Sequence, residues 1–291
     1  MEKKYQNSLF IFRRDLRLHD NTALIQALEQ SEAVIPCFIF DPRQVSTKNQ
    51  YRSLNALQFM VESVQDLDAQ LREQHGKLFI FHGEPVKVLA ALIKQISIDA
   101  IFCNRDYTPF SIERDNSIKH LCNQHHINFH QMGDALINEP ESIKSASGTP
   151  YTIFTPFFKK SRTVSVSHPA DNRSTNFYTK IIKGSESQAI YKKVISANNK
   201  YLHVSGGRTE GIKLLKKTTL LDDYAATHDY PAEQTSNLAP YLKFGTISIG
   251  EAYQTIANKL GSGHPLLRQL YWRDFFTHAD QIYPEVTLLR K

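Results

Sequence analysis

Residues 8–24 read SLFIFRRDLRLHDNTAL: an apolar run ending at Phe12, then four charges within five positions, then the start of an amphipathic segment. A short apolar run of this kind is typical of a strand that is buried on both faces of a parallel sheet. Asp20 or Asn21 suits the cap of a following helix. The stretch therefore predicts a strand, a charged loop and a helix, which is the repeating unit of an α/β fold.

Four more apolar runs follow the first and alternate with helical patterns. The longest helical pattern covers 54–72, where apolar residues recur at intervals of three and four. The later runs are AVIPCFIF (33–40), KLFIF (77–81), DAIFCN (99–104) and INFHQM (127–132). Together they predict a doubly wound, parallel five-stranded sheet of the Rossmann-like α/β class.

The pattern changes twice beyond the sheet, which predicts three parts of the chain. Residues 1–133 form the α/β domain, 134–205 a polar inter-domain connector, and 206–291 the beginning of an all-α domain. The helical part carries an amphipathic segment at 211–227 and a capping box at Ser248 and Glu251. Pro265 stands at the expected first position of the last helix.

The composition, with 41% hydrophobic and 22% charged residues, is that of an ordinary globular protein. No apolar run approaches the roughly 18 residues of a membrane span, so no membrane contact is expected. The N-terminal apolar stretch is too short for a secretory signal, which predicts a cytoplasmic protein, and we expect a monomer. Three widely spaced cysteines predict reduced thiols. The net charge of +6 permits a polyanionic partner. The histidines and Cys122 within 120–130 match no zinc spacing, so no metal site is predicted.

Three segments carry candidate chemistry, and the residues alone leave two interpretations of each. The charges at 13–17 form either a ligand site at a strand end or a buried ion-pair network, and the network is favoured. Residues 235–237, ahead of Pro240, are either an anion site or an ordinary helix cap. The single tryptophan, Trp272, is either a core residue or part of an exposed face with Gln269, Arg273 and Phe276 that stacks on nucleic-acid bases.

These segments resemble the photolyase/cryptochrome family. The family opens with an apolar strand followed by Arg-x-Asp-Leu-Arg-x-x-Asp-Asn-x-Ala-Leu, which 13–24 match. YTIFTPF (151–157) is similar to a segment at the boundary of the family's first domain. TSNLAPYLKFG (235–245) is similar to its Thr-Ser-x-Leu-Ser-Pro-Tyr-Leu-x-x-Gly motif, and QLYWRDFF (269–276) to its Glu/Gln-Leu-x-Trp-Arg-Glu-Phe segment.

The resemblance implies a bound flavin adenine dinucleotide (FAD) and a damaged-DNA partner containing a pyrimidine dimer. Because the flavin carries the chemistry, no catalytic side chain is predicted. Ala239 stands where the family usually has serine, and Ser111 lies where an acidic residue would hold a folate. An antenna chromophore of folate or deazaflavin type is expected without a choice between them. The implied cofactor-binding residues are Tyr224, Thr235, Ser236, Asn237, Leu238, Ala239 and Gln269. The implied DNA-binding residues are His228, Gln269, Trp272, Arg273 and Phe276.

The implied function is light-dependent repair of pyrimidine dimers by electron transfer from reduced FAD, in the class of the deoxyribodipyrimidine photo-lyases. Gln269 occurs at its position in relatives specific for the 6-4 lesion and in animal cryptochromes, so the lesion type stays open. A cryptochrome-like blue-light receptor and a non-functional remnant are the alternatives. Family members are longer than 291 residues, so we expect a truncated flavin domain that holds FAD weakly or not at all.

Overall fold

The computed structural model describes residues 2–185, 187–195, 199–221, 223–230 and 232–282. Five parallel strands form one sheet in the order β3-β2-β1-β4-β5, which confirms the predicted doubly wound topology. The central strand β1 pairs with β2 and with β4. The strands are β1 (Tyr5–Phe12), β2 (Ser31–Phe40), β3 (Phe79–His82), β4 (Ala100–Asn104) and β5 (Asn128–Met132).

Helices cover the sheet and continue beyond it. Of the described helices, none is long and apolar enough to span a bilayer. The α-helices are α1 (Thr22–Gln30), α2 (Pro42–Val45), α3 (Leu54–Glu73), α4 (Pro85–Ile93), α5 (Pro109–Gln124), α6 (Phe154–Ser161), α7 (Ser187–Val194), α8 (Arg208–Lys216), α9 (Tyr224–Thr227), α10 (Ala239–Phe244), α11 (Ile249–Leu260) and α12 (Pro265–Ile282).

The predicted helix starts are confirmed where a side chain caps the helix. The Asn21 side chain accepts a hydrogen bond from the Leu24 amide at the start of α1. Ser248 and Glu251 form the reciprocal capping box of α11. These caps satisfy backbone N–H groups that a helix leaves unpaired in its first turn.

Each face of the sheet carries its own hydrophobic core because the side chains of β1 alternate between them. Phe10 and Phe12 pack in the core shared with α1 and α3. Leu9 and Ile11 pack in the opposite core, shared with α4 and α5. All four side chains are buried, which explains why β1 reads as an uninterrupted apolar run.

The connector 134–205 is more ordered than its composition predicts. It contains α6 and α7, and Phe177 is buried in the core on one face of the sheet. The Val34 amide donates to Asn176, and the Tyr178 amide donates to Val34. Backbone pairing with β2, which local composition does not encode, therefore holds this part of the connector on the sheet.

The amphipathic segment 211–227 is helical in several short pieces. It is divided into α8, a 3₁₀ helix (Lys217–Leu220) and α9. The Thr218 hydroxyl donates to the carbonyl oxygen of Leu215 at the division. Such side-chain bonding to the preceding turn competes with the regular helical pattern.

The helical region docks directly on the charged loop after β1. The Leu16 amide donates to the Phe244 carbonyl at 3.1 Å, and Arg17 Nη1 donates to the Gly245 carbonyl at 3.1 Å. Gly245 has φ +64°, and a Cβ atom there would collide with the backbone of Arg14. Only glycine allows this close approach, which brings α10 to the carboxyl end of the sheet.

Candidate functional site

The carboxyl ends of β1 and β4 lie side by side at the point where the strand order reverses. Arg13, Arg14 and Asp15 follow β1, and Arg105 and Asp106 follow β4. Ligands of open α/β sheets bind in the crevice outside such a switch point. The topology therefore places the charged loop at the position where the fold favours a ligand.

The loop is also held by a buried polar network. The Asp15 carboxylate accepts hydrogen bonds from the Arg13 amide at 2.6 Å and from Asn104 Nδ2 at 2.6 Å. Burial raises the pKa of Asp15 to about 6, although the Arg13 and Asn104 bonds act to lower it. Arg17 Nη2 pairs with the Asp134 carboxylate at 2.7 Å. This is the buried network favoured from the residues alone.

A cavity with a volume of about 780 Å³, called the first cavity below, lies between this network and the helical region. Its α/β side includes Asp15, Asn104 and Tyr107. All seven residues predicted to bind the cofactor line its other side: Tyr224, Thr235, Ser236, Asn237, Leu238, Ala239 and Gln269. Residues up to 45 positions apart in the sequence thus face one space, and their roles there remain predictions.

The segment 235–239 differs in detail from a helix N-terminal anion site. Helix α10 has only six residues, and no side chain caps it. Ser236 Oγ instead accepts from the Leu238 amide at 3.4 Å, and Asn237 adopts a left-handed φ of +51°. The Thr235 side chain is exposed. The hydroxyl groups, rather than the dipole of a long helix, are the features of this segment suited to a phosphate.

The four residues of α12 that were predicted to share one exposed face lie on two different sides of the helix. They are Gln269, Trp272, Arg273 and Phe276. Gln269 and Arg273 line the first cavity, with the Gln269 side chain exposed. Arg273 donates to the carbonyl oxygens of Ala135 at 2.5 Å and Leu242 at 3.4 Å. Its guanidinium therefore already holds two backbone segments, which the prediction of a solvent-facing arginine did not anticipate.

Trp272 lies on another side of α12, where α6 docks. Its ring stacks on Phe154 with a centroid separation of 3.5 Å and an interplanar angle of 6°. Phe276, 60% exposed, stacks on the same indole at 5.5 Å. Phe154, more than a hundred positions earlier, covers the indole, so Trp272 is half-buried rather than fully in the core or fully exposed, and its role in DNA binding remains a prediction.

His228, a predicted DNA contact, lies beside the predicted cofactor residue Tyr224. The two rings meet edge to face at 5.1 Å, and His228 Nδ1 lies 3.5 Å from the Asp229 carboxylate. The Tyr224 side chain is buried. His228 therefore borders the cavity through Tyr224, and its role in DNA binding remains a prediction.

Sequence reasoning missed a buried pair on α12, Asp274 and His278. Asp274 Oδ2 accepts from the Asn138 amide at 3.0 Å, and His278 Nε2 lies 2.9 Å from the Asn138 carbonyl oxygen. Burial raises the pKa of Asp274 to about 7 and lowers the pKa of His278. The sequence feature that could have identified this pair is the presence of two polar residues, four positions apart, on an otherwise apolar side of a helix.

These contacts fix the wall segment, residues 134–138. Asp134 is bound to Arg17 in the α/β domain, and Asn138 is bound to Asp274 and His278 on α12. Asp134, Ala135 and Leu136 line the first cavity. The wall segment thus joins the two halves of the cavity at a fixed position.

The sequence model of the family described as DNA photolyase matches residues 8–173, which is more than half of the chain. The chain belongs to the DNA photolyase family. The match covers β1 from Ser8 onward, the loop after it, the other four strands and helix α6 of this photolyase-family chain.

Relatives of this family member extend the similarity to the helical region. A deoxyribodipyrimidine photo-lyase of Alkalihalophilus pseudofirmus is 30% identical over 91% of the chain and 57% of the relative. A (6-4) DNA photolyase of Arabidopsis thaliana is 28% identical over 92% of the chain and 54% of the relative. The chain therefore spans little more than half the length of these curated relatives.

A solved relative supports the same fold for this photolyase-family chain. The archaeal photolyase of Sulfolobus tokodaii, described as having two FAD molecules, superposes with a TM-score of 0.84 at 38% identity. The superposition covers 97% of this chain and 61% of that one. The arrangement of an α/β domain followed by helices is thus shared with a known photolyase.

Proposed function

We propose that the protein is a DNA photolyase that repairs pyrimidine dimers in DNA with light, using non-covalently bound FAD. The observation that carries this proposal is the convergence of all seven predicted cofactor-binding residues on the first cavity. Membership of the photolyase family and the similarity to named photo-lyases support the same activity.

The donor set of the first cavity suits a dinucleotide. Its volume of about 780 Å³ lies within the range of roughly 300 to 1,000 Å³ found for ligand pockets. The Thr235 and Ser236 hydroxyls offer hydrogen bonds to a pyrophosphate, and Lys243 and Arg105 line the same space. When bound, reduced FAD would supply the electron for dimer cleavage after absorbing light.

Gln269 and the aromatic end of α12 are the residues that we assign to the lesion. The exposed Gln269 amide carries both a donor and an acceptor, so it can bind base edges at the mouth of the cavity. Phe276 extends the stack formed by Phe154 and Trp272 to the surface, where an extruded base can stack. Arg273 supports this arrangement by holding Ala135.

An equilibrium titration of the protein with FAD, followed by a repair assay, tests the proposal. Flavin fluorescence measured at equilibrium detects weak binding that would be lost on desalting. We expect saturable binding of one FAD, and light-dependent loss of dimers from an oligonucleotide at saturating reduced FAD. Cyclobutane and 6-4 substrates assayed in parallel identify the lesion. Absence of both binding and repair would reject the proposal.

A cryptochrome-type photoreceptor is the second candidate. Cryptochrome-1 of Drosophila melanogaster is 26% identical over 91% of the chain and 57% of the relative. Flavin binding without light-dependent repair of either lesion would favour this candidate over the photolyase.

We also propose that the protein acts as a monomer in the cytoplasm. Cys37, Cys103 and Cys122 are free and buried, which is consistent with a reducing compartment. Sedimentation of the purified protein at increasing concentration tests the monomer, and an apparent mass that doubles would contradict it.

A further inference from the structure

Asp274 is a fully buried carboxyl group at the junction between α12 and the wall segment. Its Oδ2 atom accepts a hydrogen bond from the Asn138 amide at 3.0 Å. Its Oδ1 atom has no hydrogen-bond partner among the residues that the structure describes. A buried oxygen without a donor is costly when the group is neutral, and far more costly when the group is charged. The contacts of Asp274 therefore favour its protonated form.

The basic side chains nearest to Asp274 on α12 do not balance a negative charge there. Arg273 donates to the carbonyl oxygens of Ala135 and Leu242. Burial lowers the pKa of His278, so that its ring is a neutral neighbour of the Asn138 carbonyl oxygen at 2.9 Å. Burial raises the pKa of Asp274 to about 7, although Arg273 acts to lower it.

A second acid, Glu139, acts on Asp274 from the end of the wall segment. Its carboxylate oxygens accept from the Tyr107 hydroxyl at 2.7 and 2.6 Å, and one of them lies 3.3 Å from Arg105 Nη1. Arg105 is also paired with Glu141 at 2.8 Å. The negative charge of Glu139 acts to raise the pKa of Asp274. Ionisation of Asp274 would therefore add a buried charge close to an existing one.

The bond between Asn138 and Asp274 holds a part of the chain that lines the first cavity. Asp134, at the other end of the wall segment, is paired with Arg17 at 2.7 Å. Ala135 and Leu136 lie between these two attachments and line the cavity. Weakening the attachment at Asn138 would free one end of this wall while the other end stays on the α/β domain.

We propose that a proton on Asp274 positions the wall segment, so that binding of a ligand at the first cavity is linked to the uptake of one proton. Asp274 is then a positioning residue that acts through Asn138. In a released wall segment the carboxyl group would be solvated and ionised at neutral pH. The choice of FAD as the ligand rests on the proposed function, whereas the protonated contact rests on the burial of Asp274 and its unpaired oxygen.

The direction of the pH effect follows from the two states of Asp274. Its pKa is about 7 when the wall segment is attached and is that of an ordinary aspartate when the segment is released. The attached state therefore holds the extra proton, and its advantage is lost as pH rises through about 7. A ligand that needs the attached wall should bind less tightly above this pH.

Titration of the wild-type protein and Asp274→Asn with FAD at several pH values tests the link. Asparagine keeps an acceptor for the Asn138 amide and cannot ionise. We expect the FAD affinity of the variant, divided by that of the wild type, to rise about three- to tenfold from about pH 6 to about pH 8.5. The ratio is informative because the other titrating groups are present in both proteins. A constant ratio would overturn the inference.

Glu73→Gln is the control for the loss of one carboxylate, since Glu73 is exposed at the end of α3. Its FAD affinity, divided by that of the wild type, should not change with pH. A rise equal to that of Asp274→Asn would assign the effect to net charge and reject the role of Asp274.

Infrared spectroscopy of the FAD-free protein gives a readout that a merely structural role of Asp274 would not change. The carbonyl stretching band of protonated carboxylic acids should decrease from about pH 6 to about pH 8.5, by one carboxyl group more in the wild type than in Asp274→Asn. Burial also raises the pKa values of Asp15 and Glu139, but both acids are present in the two proteins. Equal bands would show that Asp274 does not hold the proton.

The inference and the proposed function fail in different ways. If FAD binds and repair occurs but the affinity ratio is constant, the proposed function stands and the inference fails. If FAD does not bind at any pH while the infrared band identifies Asp274, the proposed function and the link to a ligand fail together, and the proton on Asp274 stands as a property of the fold.

Discussion

The two walls of the first cavity are built in opposite ways. On the α/β side, Asp15 and Asn104 are buried, and each makes at least two hydrogen bonds. On the helical side, Thr235, Ala239 and Gln269 are exposed. The comparison indicates that the α/β wall is fixed by the fold, whereas the helical wall keeps its polar groups available for a ligand. Substitutions in the first wall should therefore alter stability, and substitutions in the second should alter binding.

The largest effect is expected from Asp15→Ala. It removes the acceptor for the Arg13 amide and Asn104, and it leaves the buried charge of Arg17 with less compensation. We expect a loss of about 3 to 5 kcal/mol in the free energy of unfolding, measured by urea denaturation. Asp229→Ala, at a side chain that is 86% exposed, is the control and should change stability by less than about 0.5 kcal/mol. Similar losses for both variants would contradict the fixed wall.

Asp274→Asn tests the contact that joins the two walls, and its effect depends on pH. Because the pKa of Asp274 is about 7 in the folded protein, above that of an unfolded aspartate, the folded state holds the extra proton. Ionisation of Asp274 therefore lowers stability as pH rises from about 4 through 7. Asparagine keeps the acceptor for the Asn138 amide and carries no charge.

We expect the gain in the free energy of unfolding from Asp274→Asn to be about 2 to 3 kcal/mol larger at about pH 8 than at about pH 5. Denaturation curves at the two pH values measure this difference. The shift of His278 acts in the opposite direction, since its lowered pKa favours the folded state at higher pH. A gain that is independent of pH would show that Asp274 is not protonated in the folded protein.

Thr235→Ala tests the helical wall of the first cavity, whose polar groups are exposed. Since the Thr235 side chain is exposed, we expect the free energy of unfolding to change by less than about 0.5 kcal/mol. FAD affinity, measured by fluorescence titration, should fall about tenfold because a hydroxyl donor to a charged phosphate is lost. Thr47→Ala, at an exposed threonine away from the cavity, should leave the affinity unchanged. A loss of stability without a loss of affinity would place Thr235 in the fixed part of the fold.

The smallest effect is expected from Ala239→Ser, which restores the residue usual in the family. One added neutral hydroxyl should raise FAD affinity about fivefold. Ala226→Ser, at an exposed alanine of α9, is the matched control. If both serines or neither serine raised the affinity, residue 239 would not face the phosphates.

The sheet was predictable from sequence because each strand is a continuous apolar run between polar segments. The start of α11 was predictable for a similar local reason, since Ser248 and Glu251 lie within one turn. The environment of Trp272 was not predictable, because Phe154 and Phe276 together determine it and Phe154 belongs to a distant helix. The ion-pair partners of Arg13 and Arg17 were also not predictable from the sequence, because Asp115 and Asp134 lie more than a hundred positions away.

The members of the cofactor set were identified by motif resemblance, but their local geometry was not. Residues 235–239 match the family pattern, yet α10 is a helix of only six residues and Leu238 occupies its cap position. The left-handed φ of Asn237 and the close approach of Gly245 to the backbone of Arg14 are features that the motif itself does not encode. Resemblance therefore pointed to residues that meet at the first cavity, while the tertiary contacts determined which of their atoms face it.

The stack of Phe154 on Trp272 makes the protein its own optical reporter. Trp272 is the only tryptophan of the chain, so selective excitation of indole observes one place in the fold, where α6 packs on α12. That contact forms only when the connector has docked on the helical region. The emission of one side chain can therefore follow, in real time, the step at which the two regions assemble.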